Sequence, residues 1–275
     1  MKKTQLLVWP LSGLALLGAG LPNADNTTPA PAGETATETA TGVADEVGGE
    51  VAGAQDHPAR VYADKWGVIG RNTIGSPSAT LRFGPYGRRN PAAFAATQPP
   101  PFGVGSLGII VGSGTEKINF GNETDFAGRR LAQIFTLGYW IFAGHNSLAG
   151  VSLPGIALEV DPNVGPSDYA SLVYLPDDAT APSAPATAAP NVWQRYAASA
   201  TGSAWYATGV TGSTIGCTPT TPCSFATLKS LLPNAVISLS VGITKGRDNA
   251  FIGAVDGLQI NREIYDFEPF AVFRR

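Results

Sequence analysis

Near the carboxyl end, Phe251-Ile-Gly-Ala-Val-Asp-Gly-Leu-Gln-Ile260 and Glu263-Ile-Tyr-Asp-Phe267 alternate apolar and polar residues on either side of a tight Asn261-Arg262 turn. A period of two sends successive side chains to opposite faces of a strand, so this stretch reads as a closing β-hairpin. The apolar face of such a hairpin needs a second layer to cover it. From Val61 onward short apolar runs are separated by Gly, Pro and Asn, which is the spacing of an all-β sandwich and not of strand–helix–strand units. Strands are expected near Ala79–Phe83, Leu107–Val111, Glu116–Phe120, Ile134–Phe142, Gly155–Val160, Ala170–Tyr174, Val192–Ala197, Val236–Ile243, Phe251–Ile260 and Glu263–Phe267. Ser224 followed by Phe225, Leu228, Leu231 and Leu232 at helical spacing predicts one short helix. The expected fold is a two-sheet antiparallel β-sandwich, jelly-roll or concanavalin-like, with Trp66 and Trp193 in its core. Asp177–Pro190, rich in Pro and Ala, is expected to be a flexible surface loop.

The chain has 275 residues, but roughly the first 60 lack the aromatic and branched apolar content of a core. One large domain over residues 61–275 fits the remainder. Lys2 and Lys3 precede the apolar run Leu6–Leu21, with small residues at Ala19, Gly20 and Ala24. This reads as an export signal over residues 1–24, an uncleaved anchor being the alternative, and it implies a secreted or cell-surface location. Residues 25–60 are rich in Ala, Thr, Gly and Pro and carry Asp25, Glu34, Glu38, Asp45, Glu46, Glu50 and Asp56. Such a leader cannot bury enough surface to order itself and suits a spacer. No membrane span is expected after signal cleavage. A net charge of -3 lacks the basic footprint of a nucleic-acid binder. Cys217 and Cys223 are the two cysteines, and in an exported chain they are expected to form a disulfide.

Several phrases together resemble a family of secreted bacterial β-sandwich domains related in form to laminin-G-like and jelly-roll carbohydrate-binding modules. They are Phe83-Gly-Pro with Pro99-Pro-Pro-Phe-Gly-Val-Gly-Ser-Leu107, Phe126-Ala-Gly-Arg-Arg-Leu131, Val192-Trp-Gln-Arg-Tyr196, Ser224-Phe-Ala-Thr-Leu228, and the closing hairpin with Tyr265-Asp-Phe-Glu-Pro269. The resemblance implies a two-sheet sandwich, export, and glycan or surface binding. Fold alone does not set activity.

Chemistry-bearing residues are sparse. Glu159-Val-Asp161 places two carboxylates on one face of a strand, the arrangement a polysaccharide hydrolase or lyase needs, but the sequence continues Pro162-Asn163-Val164 and offers no further acid/base partner. Asp161, Asn163 and Asp168 alternate with Pro, Gly and Ser, so this run offers oxygens to a structural calcium or forms an ordinary turn. Asp248 and Asp256 are further oxygen ligands or, more simply, acceptors of backbone N–H groups. His145 has no second His or Cys nearby to make a zinc or triad site, and Gly103-Val-Gly-Ser-Leu-Gly108 mimics a dinucleotide loop without its helix. Adjacent aromatics are the stronger lead. In Tyr139-Trp140 and Trp205-Tyr206 one ring of each pair faces outward, where it can stack on a sugar. The expected role is a non-catalytic module binding carbohydrate or another cell-surface polymer through Trp205, Tyr206, Trp140, Gln194 and Arg195. The alternative is a structural or protein-interaction component of the envelope, which predicts an exposed apolar patch.

Overall fold

The computed structural model describes residues 61–145, 147–148 and 153–275; the expected export signal, the leader and His57 lie outside these residues. The chain runs through β1 (Val61–Ala63), β2 (Trp66–Val68), β3 (Ser78–Phe83), β4 (Gly105–Val111), β5 (Ile118–Asn122), β6 (Leu137–Ala143) and β7 (Gly155–Asp161). It continues with β8 (Ala170–Tyr174), β9 (Trp193–Tyr196), β10 (Trp205–Ala207), α1 (Gly209–Ile215), α2 (Phe225–Leu231), β11 (Val236–Lys245), β12 (Phe251–Ile260), β13 (Glu263–Glu268) and β14 (Ala271–Arg274). All strand pairings are antiparallel. Six strands form one sheet in the order β10-β8-β7-β11-β5-β2, and eight form the other around β12. The core lies between them. Ile156, Leu158 and Val160 of β7 and Val241 and Ile243 of β11 meet Leu137, Tyr139 and Ile141 of β6 and Leu107, Ile109 and Val111 of β4, all buried. Burying each such side chain contributes about 1.5–3 kcal/mol, which is why the alternation holds strand registers so firmly.

The closing hairpin is present as expected: Ile260 pairs with Glu263 across Asn261-Arg262. Asn261 adopts a left-handed φ of 57°. Its side chain also ties down the segment before β6, accepting from Phe135 N at 2.7 Å and donating to Gln133 O at 2.9 Å. β12 is a fork. One edge pairs with β6, while the other pairs with β4 over Phe251–Val255 and with β13 over Leu258–Ile260. Where the partner changes, β12 bulges after Asp256, with Gly257 at φ 61°. A Cβ at Gly257 would strike the Phe102 ring at 2.1 Å, so glycine is required for both dihedral and space. Asp256 is fully buried at the fork and takes the N–H groups that the parting strands leave over. Oδ1 accepts from Gly257 N and Phe267 N, and Oδ2 from Phe102 N. The turn-acceptor reading of this aspartate therefore holds.

Other expectations need correction. Among the described residues there are two α-helices, not one. The run Gly209-Val-Thr-Gly-Ser-Thr-Ile215 has poor helix propensity, and α1 is held by its neighbours: Thr211 and Gly212 are buried, and Gly216 closes it in the left-handed region. Cys217 and Cys223 are bonded, with Cα atoms 5.4 Å apart. The loop they close docks on β10, Trp205 N and Cys223 N each donating to the other's carbonyl at 2.8 Å. The segment 177–190 is not a free surface loop. Ser183 and Ala184 are buried, and Ser183 Oγ bonds both Ala197 O and the Tyr174 hydroxyl at 3.0 Å. Its Pro and Ala content marks the absence of a strand, and carries no information about tertiary anchoring.

Candidate functional site

The outer face of the six-stranded sheet carries a polar cluster that the core does not need. Leu158 and Val160 point inward, so Glu159 between them points outward, opposite Ser171 of β8. On its other side β11 gains two residues relative to β7 between Ile237 and Val241. That bulge re-aims Ser240, whose hydroxyl donates to Glu159 Oε2 at 2.5 Å. Above the sheet runs a 3₁₀ turn, Gly70–Asn72, seated by buried Ile69, whose N–H donates to Asn119 O. The cross-strand glycines Gly121 and Gly242 leave room for it: a Cβ on either would lie within 2.6 Å of a carbonyl oxygen of the facing strand, and at Gly121 also 3.1 Å from Ile69 Cδ1. The turn delivers Arg71 Nη2 to Glu159 Oε2 and Asn72 Nδ2 to Oε1 at 2.8 Å. Tyr169 OH donates to Oε1 at 2.7 Å. Arg71 also pairs through Nη1 with Glu123 at the end of β5, so one guanidinium links two carboxylates.

Burial pushes the Glu159 carboxyl up, but hydrogen bonds from Ser240, Tyr169 and Asn72 and the Arg71 charge outweigh it, and it sits below the usual range. An ionised carboxylate holding four donors, two on each oxygen, has neither a proton to give nor an open lone pair to attack with. Its strand neighbour Asp161 is turned to its own loop, Oδ1 accepting from Asn163 N at 3.0 Å. Nearby groups retain capacity. Lys117 and Asn119 follow the outer face of β5; the Lys117 ammonium is weakened by burial, supported by Glu159 and opposed by Arg247. Asn119 Oδ1 is buried with no partner. Tyr206 of β10 shares this face one cross-strand row along, opposite Val173, and its phenol is raised by burial and by Asp248. Beside its ring lies a cavity of about 70 Å³ reaching Val173, Thr244, Asp177 and Asp248, room for a water or a small polar group.

The five expected ligand residues fall in three places. Trp205 is core: fully buried, packed between Tyr174 and Phe225 at 5.5 and 5.1 Å, its indole N–H donating to Ala198 O at 2.6 Å. Its ring therefore offers no face to a ligand. Alternation itself holds, since Tyr206 and Trp140 point outward while Trp205 and Tyr139 point inward. Trp140 lies on the outer face of the other sheet opposite Arg195, half-buried against Phe142, Trp193 and Ala254. Trp193 is thus buried as expected, but in this satellite cluster and not between the sheets; its indole N–H donates to Pro85 O at 2.9 Å from the β3–β4 connection. Trp66 packs against the main core as expected. Arg195 Nη2 is held by Gln259 Oε1 at 3.0 Å. Gln194 clasps the preceding loop, accepting from Ala189 N and donating to Thr187 O.

The calcium residues do not converge. Asp161 bonds Asn163 N, Asn163 Nδ2 donates to Asn234 O at 2.9 Å, and Asp168 is exposed. Among the described residues no group of three or more His, Cys, Asp or Glu side chains is placed to hold a metal. The loop is closed as a turn by its own hydrogen bonds. His145 is exposed in the turn after β6, and Asp248 is ion-paired with buried Lys245. Sequence reasoning missed Arg71, Asn72, Tyr169 and Ser240. Only Tyr169, two residues before Ser171 on the same face, left a periodicity signal.

Fold and cluster together define an all-β sandwich presenting a pre-organised polar face on one sheet. Comparison with known protein families, curated proteins and solved structures gives no match, so nothing in it bears on the laminin-G-like and jelly-roll resemblance.

Proposed function

We propose that this is a secreted, non-catalytic module that binds carbohydrate or another cell-surface polymer on the outer face of its six-stranded sheet. The observation that carries the reading is Glu159 with its four donors. A buried charged network costs desolvation, and on a solvent-side sheet face it adds nothing to the core; fixed polar groups there suit a ligand rich in hydroxyls. The Tyr206 ring and the Lys117 ammonium supply stacking and hydrogen bonds along the same face. Saturation of Glu159 favours binding over glycoside hydrolysis, and the resemblance read from the sequence points the same way.

The test is retention of the exported protein on insoluble polysaccharides and isolated cell walls. Tyr206→Ala and Lys117→Met should each weaken retention about tenfold while the thermal midpoint stays close to wild type, and Trp140→Ala on the opposite sheet should leave it unchanged. Equal retention of wild type and both outer-face variants would refute the assignment. A second reading, an envelope interaction protein, draws on one observation: Phe83 and Phe270 are 64 % and 87 % exposed and pack edge to face at 5.9 Å beside exposed Val104. Loss of cell-wall retention in Phe270→Ser, with Tyr206→Ala still retained, would select it.

A further inference from the structure

A cavity of about 280 Å³ lies between β1, its link to β2, the loop after β5, and the β13–β14 pair, and shares no residue with the Glu159 cluster. Six charged side chains line it, three of each sign: Asp64, Asp125 and Glu263 against Lys65, Arg129 and Arg274. Four of them pair off. Lys65 Nζ donates to Asp125 Oδ1 at 2.9 Å, and Arg274 Nη1 to Glu263 Oε1 at 3.0 Å. The Tyr265 hydroxyl, also in the wall, donates to Glu263 Oε2 at 3.3 Å.

Asp64 and Arg129 are left over. The Arg129 guanidinium lies over the Phe126 ring, Cζ 5.2 Å from its centroid, and no carboxylate among the described residues pairs with it. A ring under the guanidinium helps to hold it in place without using its N–H donors on a carboxylate, and the planar fork of an arginine matches a carboxylate with two parallel hydrogen bonds. Asp64 is exposed and supplies the opposite charge in the same wall. A cavity whose own ion pairs cancel, with one oriented cation and one anion over, is complementary to a ligand that carries both charges. Its volume is several times the about 30 Å³ share of one water, enough for an amino acid or dipeptide.

We propose that this cavity binds a small zwitterion of the amino-acid or short-peptide class, its carboxylate on Arg129 and its ammonium toward Asp64. The site is independent of the polymer-binding face, and its failure would leave that reading intact.

The test is an NMR and calorimetric titration of the full chain with L-alanyl-L-alanine, its carboxy-amidated form and its N-acetylated form. The free dipeptide is expected to bind saturably and to move the Arg129 side-chain and Tyr265 signals. Amidation should weaken binding about tenfold or more, the effect of losing a charge-assisted pair. Arg129→Gln should bind the free dipeptide as weakly as wild type binds the amide. Asp64→Asn, at an exposed position, should abolish the preference for the free over the acetylated amino group. Absence of saturable binding to wild type, equal affinity for free and amidated dipeptide, or unchanged binding in Arg129→Gln would each overturn the proposal.

Discussion

Asp256→Asn tests whether the fork in β12 rests on a carboxyl group that holds a proton. In the wild type Oδ1 accepts from Gly257 N at 2.7 Å and Phe267 N at 3.1 Å, and Oδ2 from Phe102 N at 3.1 Å. An asparagine keeps one oxygen, so at least one of these buried N–H groups faces an amide nitrogen and loses its acceptor, at a cost of about 1–3 kcal/mol. Burial, together with the charge of Asp266, pushes the Asp256 carboxyl up to about 8, against the pull of the three N–H bonds. The folded protein then keeps a proton that the unfolded chain releases above an ordinary value of 3.8, so wild-type stability falls as pH rises through that window. At about 1.4 kcal/mol for each tenfold change in proton affinity, the full span is worth about 6 kcal/mol. The variant has no such titration. It should therefore be less stable than wild type near pH 5 by about 1–3 kcal/mol, with the gap closing and then reversing toward about pH 9. Urea unfolding followed by tryptophan fluorescence at several pH values reads this directly, and the carboxylates other than Asp266, which is coupled to Asp256, cancel between the two proteins. A gap of constant size across that range would refute the reasoning.

Glu159→Gln should show the opposite pH signature. The Glu159 carboxyl is depressed, so its stabilisation is present above the usual carboxylate range and disappears as acid protonates it; the variant, about 1–2 kcal/mol less stable at neutral pH after allowance for the partly exposed Arg71, should lose this acid-side dependence. Equal acid sensitivity of variant and wild type would contradict the geometry. Trp205→Ala should cost about 3–5 kcal/mol in urea unfolding, because it empties a fully buried site between Tyr174 and Phe225. A variant of near wild-type stability with lost polysaccharide retention would return Trp205 to the ligand face.

Much of the sandwich was legible because its signals are local. Period-two alternation named the closing hairpin and correctly turned one ring of each aromatic pair outward, and the presence of two cysteines in a chain read as exported named the Cys217–Cys223 disulfide. α1 was missed because its Gly- and Thr-rich run is helical only through its buried contacts and closing Gly216, which propensity does not record.

Alternation also placed Glu159 and Asp161 on one face of a strand, and could go no further. The donors to Glu159 come from residues 71, 72, 169 and 240, spread along the chain, and they meet because β2, β5, β11, β7 and β8 pair in one order and because a bulge re-aims Ser240. Pairing order and bulge position are set by packing across the whole sandwich, so no window of sequence contains them. The same is true of Trp205 and Asp256. What the sequence determined by itself was which residues share a strand face; which face meets the other sheet's core, which is roofed by a loop and which stays open to a ligand was decided by the tertiary structure, since burial depends on what packs opposite and not on the strand that carries the side chain.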